Sequence, residues 1–438
     1  MSVTSREDLE PIVSGTIARI REALLEKRIT PLELVDAVLD RIEREEPRLR
    51  AWVHVDADGA RKAAKSVDVR SGPLAGVPFA VKDVIDVRGM ATRYGADFTS
   101  ATPVAFDAWC VAAVRAAGAI PIGKVTTTPF AFKGPPAPTI NPWSSRHTPG
   151  GSSAGSGASV GARQVPFAFG TQTGGSTLRP AAYNGVVGLI ASIGTIATAG
   201  MSALGPTFDR IGIICRDAAD ATTLLGFYDF AVTQTPERLP LKVGYARSFQ
   251  HELVHPDVER VIDAALAKAG IACSVTETTL PASVTDGVPF WETFLSFEAS
   301  ANVREALRGK PIAAILDDAL TRGASLDYAR YQEAQLHRLH AQRDMEASFQ
   351  AFDVIATAAA DRPPDTSATG YAQLALTWPA TALGLPAISL PVGLTPDGLP
   401  VGLQLVGRFG RDGDLLAAAR SLEKLIGFDN PGPRSFFT

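Results

Sequence analysis

Three polar segments of this sequence carry the residue types of a nucleophilic active site. Lys82 lies in an apolar run, and two serine-rich segments follow it at residues 150–156 (GGSSAGS) and 170–176 (GTQTGGS). A serine hydroxyl is a weak nucleophile that needs a base within hydrogen-bond reach. A lysine serves as that base when it is neutral, and burial lowers a lysine pKa by up to several units. The combination indicates acyl transfer by serine with a lysine base.

Each segment alone has a simpler interpretation. A lone strand lysine is usually a snorkelling side chain or an ion-pair partner, and a Gly/Ser run is usually a loop. A phosphate-binding loop is excluded because no Gly-Lys-Ser/Thr follows the glycines. A dinucleotide fingerprint is weak, since Gly155 and Gly157 lack the third glycine at the required spacing.

The distribution of acidic residues supports the lysine base. The chain has 46 Asp and Glu among 438 residues, yet residues 108–208 contain none, and the single histidine there is His147. A histidine–carboxylate couple is therefore hard to build from local residues. A carboxylate beside Lys82 would also hold it charged. The sequence predicts that no carboxylate contacts Lys82 Nζ in the folded protein.

Alternating strand and helix patterns surround these segments. Residues 74–86 predict a buried strand that carries Lys82, with Asp83 on its opposite face. A helix is predicted over 107–119, a strand over 120–125 and a small-residue helix over 154–162. The strand predicted at 165–170 leads into the second serine-rich segment. This alternation is typical of an α/β protein.

Two local signals mark where predicted elements begin, end or turn. Thr30, Pro31 and Glu33 have the form of a capping box at a helix start, and Pro47 is expected to end that helix. Near the other end, residues 395–398 (TPDG) separate two apolar runs and predict a β-hairpin.

Bulk composition excludes several classes of protein. A net charge of −4 and a pI near 5.9 give no footprint for nucleic acid. Residues 180–208 are uncharged but rich in Gly, Ser and Thr, so we interpret them as buried strands and turns rather than a membrane span. His337 and His340 lack a third ligand and are interpreted as surface residues. The three cysteines show no Cys-x-x-Cys pair, which argues against structural zinc and fits a reducing, cytoplasmic location; they are Cys110, Cys215 and Cys273.

The order of lysine strand, GGSS and GTQTGGS, with 24 residues from Ser152 to Ser176, resembles the amidase signature family of serine hydrolases. The resemblance covers roughly residues 30–230 and 375–425. It implies an α/β fold with a mixed, twisted central β-sheet sandwiched between helices, in a single domain over 1–438. Residues 236–365 have no match and are expected to form a variable, mainly helical lid that sets substrate specificity.

The resemblance also implies roles for residues. Ser176 is expected to be the nucleophile, Ser152 the bridging serine with a cis peptide bond, and Lys82 the base. The oxyanion hole is expected at the backbone N–H groups of Ser176 and the residues before it, namely Thr173, Gly174 and Gly175. No cofactor or metal is needed for this chemistry.

Supporting residues have two interpretations each. Thr171, Thr173 and Ser153 either hydrogen-bond the catalytic hydroxyls or stabilise turns. Arg179 either binds a substrate carboxylate or pairs with an acid such as Asp209, and the structural interpretation is favoured. Three aromatic residues line an acyl pocket or belong to the core: Phe130, Phe132 and Trp378.

Four residues depart from the family pattern. Pro129 stands where Glu is common, Asn184 where Cys is common, and Ile190 with Ala191 where Lys-Pro is frequent. None belongs to the Lys82, Ser152 and Ser176 set, so activity is expected. These positions concern the geometry on the substrate side.

The sequence favours an amidohydrolase that cleaves carboxylic amides through an acyl-serine intermediate, with esters and carbamates also open because the mechanism is shared. One alternative is the amidase component of a glutamine-dependent tRNA amidotransferase, which works with a partner protein. Another is a catalytically idle binding protein with the same fold. The expected partner is a small-molecule amide or carbamate, with no nucleic acid and no membrane, and a homodimer remains open.

Overall fold

One β-sheet connects the parts of the chain that the sequence analysis singled out. The computed structural model describes residues 6–132, 136–304, 307, 309, 310, 314–363 and 374–433. The strands found there are β1 Trp52–Val55, β2 Pro78–Lys82, β3 Ile120–Val125, β4 Phe167–Gln172, β5 Val187–Ile190, β6 Arg210–Cys215, β7 Lys242–Tyr245, β8 Ser274–Glu277, β9 Val354–Ala358, β10 Ala387–Leu394 and β11 Pro400–Val406.

The sheet is mixed, as the family resemblance implied. Among the described residues its strand order is β1-β3-β2-β4-β6-β5-β10-β11-β9-β7-β8. Strand β2 lies between β3 and β4 and runs parallel to both. From β4 through β6, β5, β10 and β11 to β9, each strand pairs antiparallel with its neighbour. The C-terminal ends of β2 and β4 therefore lie side by side.

Helices flank this sheet. Those in the described ranges are α1 Arg6–Val13, α2 Ile17–Leu25, α3 Pro31–Leu49, α4 Ala57–Ser66, α5 Trp109–Ala116, α6 Ala154–Gly161, α7 Leu178–Tyr183, α8 Ala218–Leu225, α9 Ala231–Gln234, α10 Arg247–Gln250, α11 Pro256–Ala269, α12 Ala282–Thr285, α13 Val288–Val303, α14 Ala314–Ser325, α15 Tyr328–Ser348, α16 Trp378–Ala382 and α17 Asp412–Ile426. Helices α6 and α7 contact each other and the central strands, and α17 contacts both α8 and α11.

The predicted capping box is present at the start of α3. Glu33 N–H donates to Thr30 Oγ1 over 3.2 Å, and Thr30 N–H donates to Glu33 Oε2 over 2.8 Å. The predicted stop at Pro47 is wrong, because α3 continues to Leu49. A proline this close to a helix end removes one backbone donor without preventing another turn. The helix ends instead at Arg50, which adopts a left-handed conformation with φ 54°.

Two predicted elements are shorter than their apolar runs. Strand β2 ends at Lys82 because the N–H groups of Val84 and Ile85 turn back to the Lys82 carbonyl, at 2.8 and 3.0 Å. Helix α5 begins at Trp109 rather than residue 107 because the N–H groups of Ala108 and Trp109 bond to other loops. A local turn ends β2, and hydrogen bonds to distant loops precede α5; hydrophobic patterning reports neither.

The hairpin predicted near the C-terminus is confirmed. Strands β10 and β11 pair antiparallel, with Leu394 opposite Pro400. In the turn, Gly398 adopts φ 83°, a left-handed conformation that glycine reaches without a Cβ clash, and its N–H donates to the Thr395 carbonyl.

The uncharged stretch 180–208 forms the end of α7, strand β5 and turns, as predicted. No helix within the described part of the chain combines the length and apolarity needed to cross a bilayer.

Residues 236–365 contribute more than helices. They supply α10–α15, but also β7, β8 and β9, which extend the sheet at one edge. Helix α13 belongs to a second apolar cluster that includes Phe132, Leu204, Trp291 and Leu295. This cluster brings α13 against the loops that follow β3 and β5.

Candidate active site

Lys82 is the last residue of β2, and its side chain is completely buried. Its Nζ lies 2.7 Å from Ser152 Oγ and 2.7 Å from Thr171 Oγ1. Thr171 lies near the end of β4, the parallel neighbour of β2, which explains why the two side chains meet. An ammonium donates to both hydroxyls, whereas a neutral amine donates to Thr171 and accepts from Ser152.

The surroundings of Lys82 favour the neutral amine. Burial lowers the pKa of Lys82 well below the ordinary lysine value, and the charge of Asp209 opposes this shift in part. Both partners of Nζ are hydroxyls, and within the described chain no carboxylate bonds to it, as the sequence predicted. Asp83, the next residue, faces away and binds Lys124 Nζ over 3.0 Å.

Ser152 follows a cis peptide bond at Gly151, the geometry that the resemblance implied. The next residue anchors this loop: Ser153 Oγ donates to the Thr171 carbonyl and accepts from Thr171 N–H, both over 3.2 Å. The Ser153 N–H donates to the Ser176 carbonyl over 3.2 Å. The two serine-rich segments are thus joined directly through Ser153, the neighbour of the serine that bonds to Lys82.

Small residues allow this close approach. All of α6 is buried, and a Cβ on its Gly155 would lie 2.4 Å from the Thr126 backbone nitrogen. Likewise, a Cβ on Gly212 of β6 would lie 2.0 Å from Thr177 Oγ1. Because glycine stands at both positions, α6 and the start of α7 reach the sheet closely enough to place Ser152 and Ser176 near the end of β2.

Ser176 is partly exposed and borders a cavity together with Ser152. The N–H groups of Gly174, Gly175 and Ser176 donate to no acceptor in the described part of the chain. Their loop is fixed by neighbours instead: Thr381 Oγ1 donates to the Gly174 carbonyl over 2.7 Å. Unpaired, oriented N–H groups beside a serine are what an oxyanion hole requires.

Asp209, the first acid after the acid-free stretch, supports this loop. Its Oδ1 accepts from Thr173 Oγ1 over 2.6 Å, and its Oδ2 accepts from the N–H groups of Leu204 and Gly205. Burial raises the pKa of Asp209, and these hydrogen bonds oppose that rise. Sequence reasoning missed this contact because the 36-residue separation between Asp209 and Thr173 carries no local signal.

Of the two interpretations of Thr171, Thr173 and Ser153, hydrogen bonds to the hydroxyls of Ser152 and Ser176 are not found among the described residues. Thr171 instead binds the amine of Lys82, Thr173 binds Asp209, and Ser153 binds the backbone of Thr171. Each hydroxyl therefore holds a neighbouring group in position: the Lys82 amine, the Asp209 carboxylate or the Thr171 backbone.

Arg179 lines the cavity with 6% of its surface exposed. Its Nη2 donates to the Gly151 carbonyl over 2.6 Å. The two oxygens of Asp209 are bound by Thr173 and backbone N–H groups, so the suggested pairing of Arg179 with Asp209 is not found in the described part of the chain. Arg179 holds the residue that precedes Ser152.

The cavity beside Ser176 has a volume of about 50 Å³. Its walls combine the two serines and the glycine loop with apolar side chains, and the lining residues are Thr128, Ala131, Phe132, Ser152, Thr173, Gly174, Gly175, Ser176, Arg179, Leu204, Trp291, Leu295 and Leu374. Trp291 and Leu295 belong to α13, in the region where the sequence showed no family match. Their contribution had no signal in the sequence.

The three aromatic candidates separate in the structure. Phe132 lines the cavity. Phe130 does not, and it stacks on Tyr94 with ring centroids 5.7 Å apart. Trp378 is also outside the lining; it begins α16 and packs against Gly287.

The residues that depart from the family pattern have structural contacts. Asn184 Nδ2 donates to the carbonyls of Pro149 and Pro180, which ties the first serine-rich segment to α7. Ile190 is buried in β5, and the Ala191 carbonyl accepts from Arg210. Pro129 begins a 3-10 turn. None of the four belongs to the described lining of the cavity.

No metal-binding cluster of three or more His, Cys, Asp or Glu occurs among the described residues. His337, interpreted from sequence as a surface residue, stacks on Phe290 with centroids 3.8 Å apart.

Comparison with known proteins gives consistent results. The sequence model of the family described as Amidase matches residues 33–416. A glutamyl-tRNA(Gln) amidotransferase subunit of Roseiflexus castenholzii is 33% identical, over 95% of this chain and 97% of that protein.

Two solved structures extend the likeness to the fold. A crystal structure of an amidase has a TM-score of 0.85 at 27% identity and covers 94% of this chain and 99% of that one. The corresponding glutamyl-tRNA(Gln) amidotransferase subunit of Thermotoga maritima has a TM-score of 0.83 at 27% identity, covering 94% and 95%.

Proposed function

Because this chain belongs to the amidase signature family, we propose that it cleaves carboxylic amides through an acyl intermediate on Ser176. Its membership makes it an enzyme that acts on carbon–nitrogen bonds other than peptide bonds. The observation that carries the finer proposal is the buried contact of Lys82 Nζ with Ser152 Oγ, beside a partly exposed Ser176.

The proposed acylation begins with a proton transfer. Neutral Lys82 takes the Ser152 proton, Ser152 takes the Ser176 proton, and Ser176 Oγ attacks the substrate carbonyl. Thr171 accepts a hydrogen bond from Nζ and so keeps the amine lone pair directed at Ser152. Ser152 then returns a proton to the leaving nitrogen as the carbon–nitrogen bond breaks.

Charge stabilisation and the second half-reaction follow from the same groups. The carbonyl oxygen becomes an oxyanion in the tetrahedral intermediate, and we assign its stabilisation to the N–H groups of Gly174, Gly175 and Ser176. Water then attacks the acyl-serine with Ser152 and Lys82 acting again as proton carriers, which releases the carboxylic acid and restores Ser176.

The same chemistry has two candidate biological settings. The named relatives favour the role of a tRNA amidotransferase component, in which the amide is that of glutamine and the enzyme works within a complex. The described cavity lining favours a stand-alone amidase for apolar amides. Its apolar members are Ala131, Phe132, Leu204, Trp291, Leu295 and Leu374. Esters and carbamates remain within the reach of the mechanism.

Turnover on a substrate panel, with a matched variant, tests the proposal. We expect the purified protein to hydrolyse at least one member of a panel of aliphatic amides, anilides, esters, carbamates and glutamine. Ser176→Ala should lower this activity by about 10³-fold or more. Ser156→Ala is the control, since that hydroxyl donates to the Phe169 carbonyl and is not part of the described cavity lining.

Intact mass after reaction with a fluorophosphonate gives an independent readout. One adduct on the wild type and none on Ser176→Ala supports the nucleophile. Equal turnover by Ser176→Ala and wild type contradicts it, and a protein that neither turns over nor reacts is the idle binding protein. Glutamine as the preferred substrate would assign the amidotransferase role.

A further inference from the structure

Two cavities share a wall beside Ser176. The inner cavity is the one of about 50 Å³ that contains Ser152 and Ser176. The outer cavity has about 250 Å³ and lies between α13 and α14, bordered by Pro289, Ser296 and Ala319 among others. The residues that line both are Phe132, Trp291 and Leu295. These three side chains therefore form the wall between two adjacent cavities.

The inner cavity is too small for a whole substrate. A water molecule occupies about 30 Å³ of liquid volume, and ligand sites usually measure about 300–1,000 Å³. The inner cavity is therefore smaller than the usual ligand site, and the outer cavity is the neighbouring space that shares lining residues with it.

Trp291 carries an unexplained polar atom at this wall. Its side chain is 2% exposed, and its indole Nε1 has no hydrogen-bond partner among the residues that the structure describes. A buried indole N–H normally finds an acceptor, and an unsatisfied one calls for an explanation.

The orientation of the ring points toward the site. A Cβ on Gly174 would meet Cζ2 and Cη2 of Trp291 at 3.1 and 3.3 Å. Cζ2 is bonded to the carbon that carries Nε1, so the nitrogen lies on the same side of the indole as the edge that faces Gly174. The ring edge next to the unpaired donor therefore borders the loop of the proposed oxyanion hole.

We propose that Trp291 determines substrate specificity in two ways. Its indole N–H donates a hydrogen bond to an acceptor oxygen on the substituent of the bound amide, and its ring limits how far the substrate extends into the outer cavity. The favoured substrate class is an amide whose substituent is apolar where it passes Phe132 and Leu295 and carries one hydrogen-bond acceptor for Trp291; beyond this wall the outer cavity is also lined by Glu292 and Arg322. This inference rests on the proposed amidase function.

An ether scan tests the hydrogen bond. Hexanamide is compared with analogues in which an ether oxygen replaces one chain methylene at successive positions, using wild type and Trp291→Phe. For at least one ether analogue, we expect Trp291→Phe to lower kcat/KM about tenfold, the usual scale of one hydrogen bond, while hexanamide changes less than about twofold. Equal effects on every amide, or none, overturn the proposal.

Trp378→Phe is the matched control. Trp378 is also buried, with an Nε1 that lacks a partner within the described chain, but it lies outside both described cavity linings. We expect it to leave the ratio of ether to alkyl substrates unchanged. If Trp378→Phe shifts that ratio as much as Trp291→Phe does, the effect belongs to indole loss in general and the proposal is wrong.

The length of the substrate's alkyl chain tests whether the Trp291 ring limits how far a substrate extends. Trp291→Ala opens the shared wall, so the preference for hexanamide over acetamide should rise several-fold; an unchanged preference contradicts the limiting role of the ring.

A covalent probe keeps this test separate from turnover. Labelling rates at Ser176 are measured for fluorophosphonates with an alkyl chain or its ether counterpart. Absence of labelling in every variant rejects the proposed function itself. Normal labelling without chain discrimination between wild type and Trp291→Phe rejects only the role of Trp291.

Discussion

Two buried lysines on neighbouring parallel strands have different environments. Among the described residues, Lys82 of β2 bonds to hydroxyls alone, whereas Lys124 of β3 contacts Asp83 Oδ1 at 3.0 Å. Burial lowers the pKa of both, and Asp83 opposes this shift for Lys124. Because successive strand residues face opposite sides, Asp83 pairs with Lys124 and turns away from Lys82. This alternation separates the proposed base from the ion pair of Asp83 and Lys124.

We predict that kcat/KM falls as the pH drops through the lowered pKa of Lys82, because only the neutral amine accepts the Ser152 proton. Lys82→Met should lower kcat/KM by about 10²–10⁴-fold, the range of a general base. A pH–rate profile of wild type and variant is the measurement. An acid limb that is unchanged in Lys82→Met would refute the assignment.

The lowered pKa of Lys82 should also make the free energy of unfolding depend on pH. Between the lowered folded pKa and about 10.4, the unfolded chain holds a proton on Lys82 that the folded chain lacks. The free energy of unfolding therefore rises with pH in this window, and Lys82→Met should flatten that rise. Lys124→Met is the contrasting control: it removes the ammonium partner of Asp83 and should lower stability without moving the pH midpoint of the remaining activity.

At the scale of elements, the two serine-rich segments are held by the helices that follow them and by the loop before β6. Helix α6 follows the first serine-rich segment directly, and α7 follows the second. The loop before β6 closes over the second segment through Asp209 and Thr173, a contact of 2.6 Å. This contact fixes the chain immediately before the glycines of the proposed oxyanion hole.

Thr173→Val should therefore weaken both folding and catalysis. The substitution keeps the side-chain shape but removes the donor to Asp209, and an unsatisfied buried acceptor costs about 1–3 kcal/mol. Urea unfolding should show a lower midpoint with an unchanged m value, and kcat should fall more than KM rises. Thr173→Ser retains the hydroxyl and is expected to behave like the wild type; if both variants unfold alike, the hydrogen bond does not support the loop.

Across the whole molecule, one buried arginine connects distant segments. Arg210 Nη1 donates to the carbonyls of Ala191 and Leu385, and Nη2 donates to those of Ala380 and Thr381, at 2.7 to 3.1 Å. It thereby joins β6 to the chain after β5, to α16 and to the residues that precede β10. Burial lowers its pKa to about 9.

We predict that Arg210→Met lowers the free energy of unfolding by about 3 kcal/mol, because four buried carbonyls lose a donor that methionine cannot replace. Arg210→Lys should also destabilise, since one ammonium cannot reproduce the planar fork of a guanidinium. Arg238→Met, at an exposed ion pair with Asp353, should change stability by less than about 0.5 kcal/mol. Chemical unfolding of the three variants measures this order, and similar midpoints for Arg210→Met and Arg238→Met would contradict it.

The sequence by itself determined the elements whose signals are local. The order of lysine strand and two serine-rich segments indicated the family and its mixed sheet, the capping box at Thr30 marked a helix start, and residues 395–398 marked a hairpin. The absence of acids over 108–208 correctly predicted that no carboxylate in the described chain would bond to Lys82. These inferences depend on residue type and short spacing, which a single sequence displays directly.

Only the tertiary structure decided what surrounds the candidate site. It paired Thr171 with the amine of Lys82, placed Asp209 behind Thr173, and lined the cavity with Trp291 rather than with Phe130 or Trp378. Such contacts join residues far apart in sequence through packing of helices on the sheet. Because a hydrogen bond or a cavity wall depends on where two segments meet, and not on the composition of either, the sequence alone carried no signal for them.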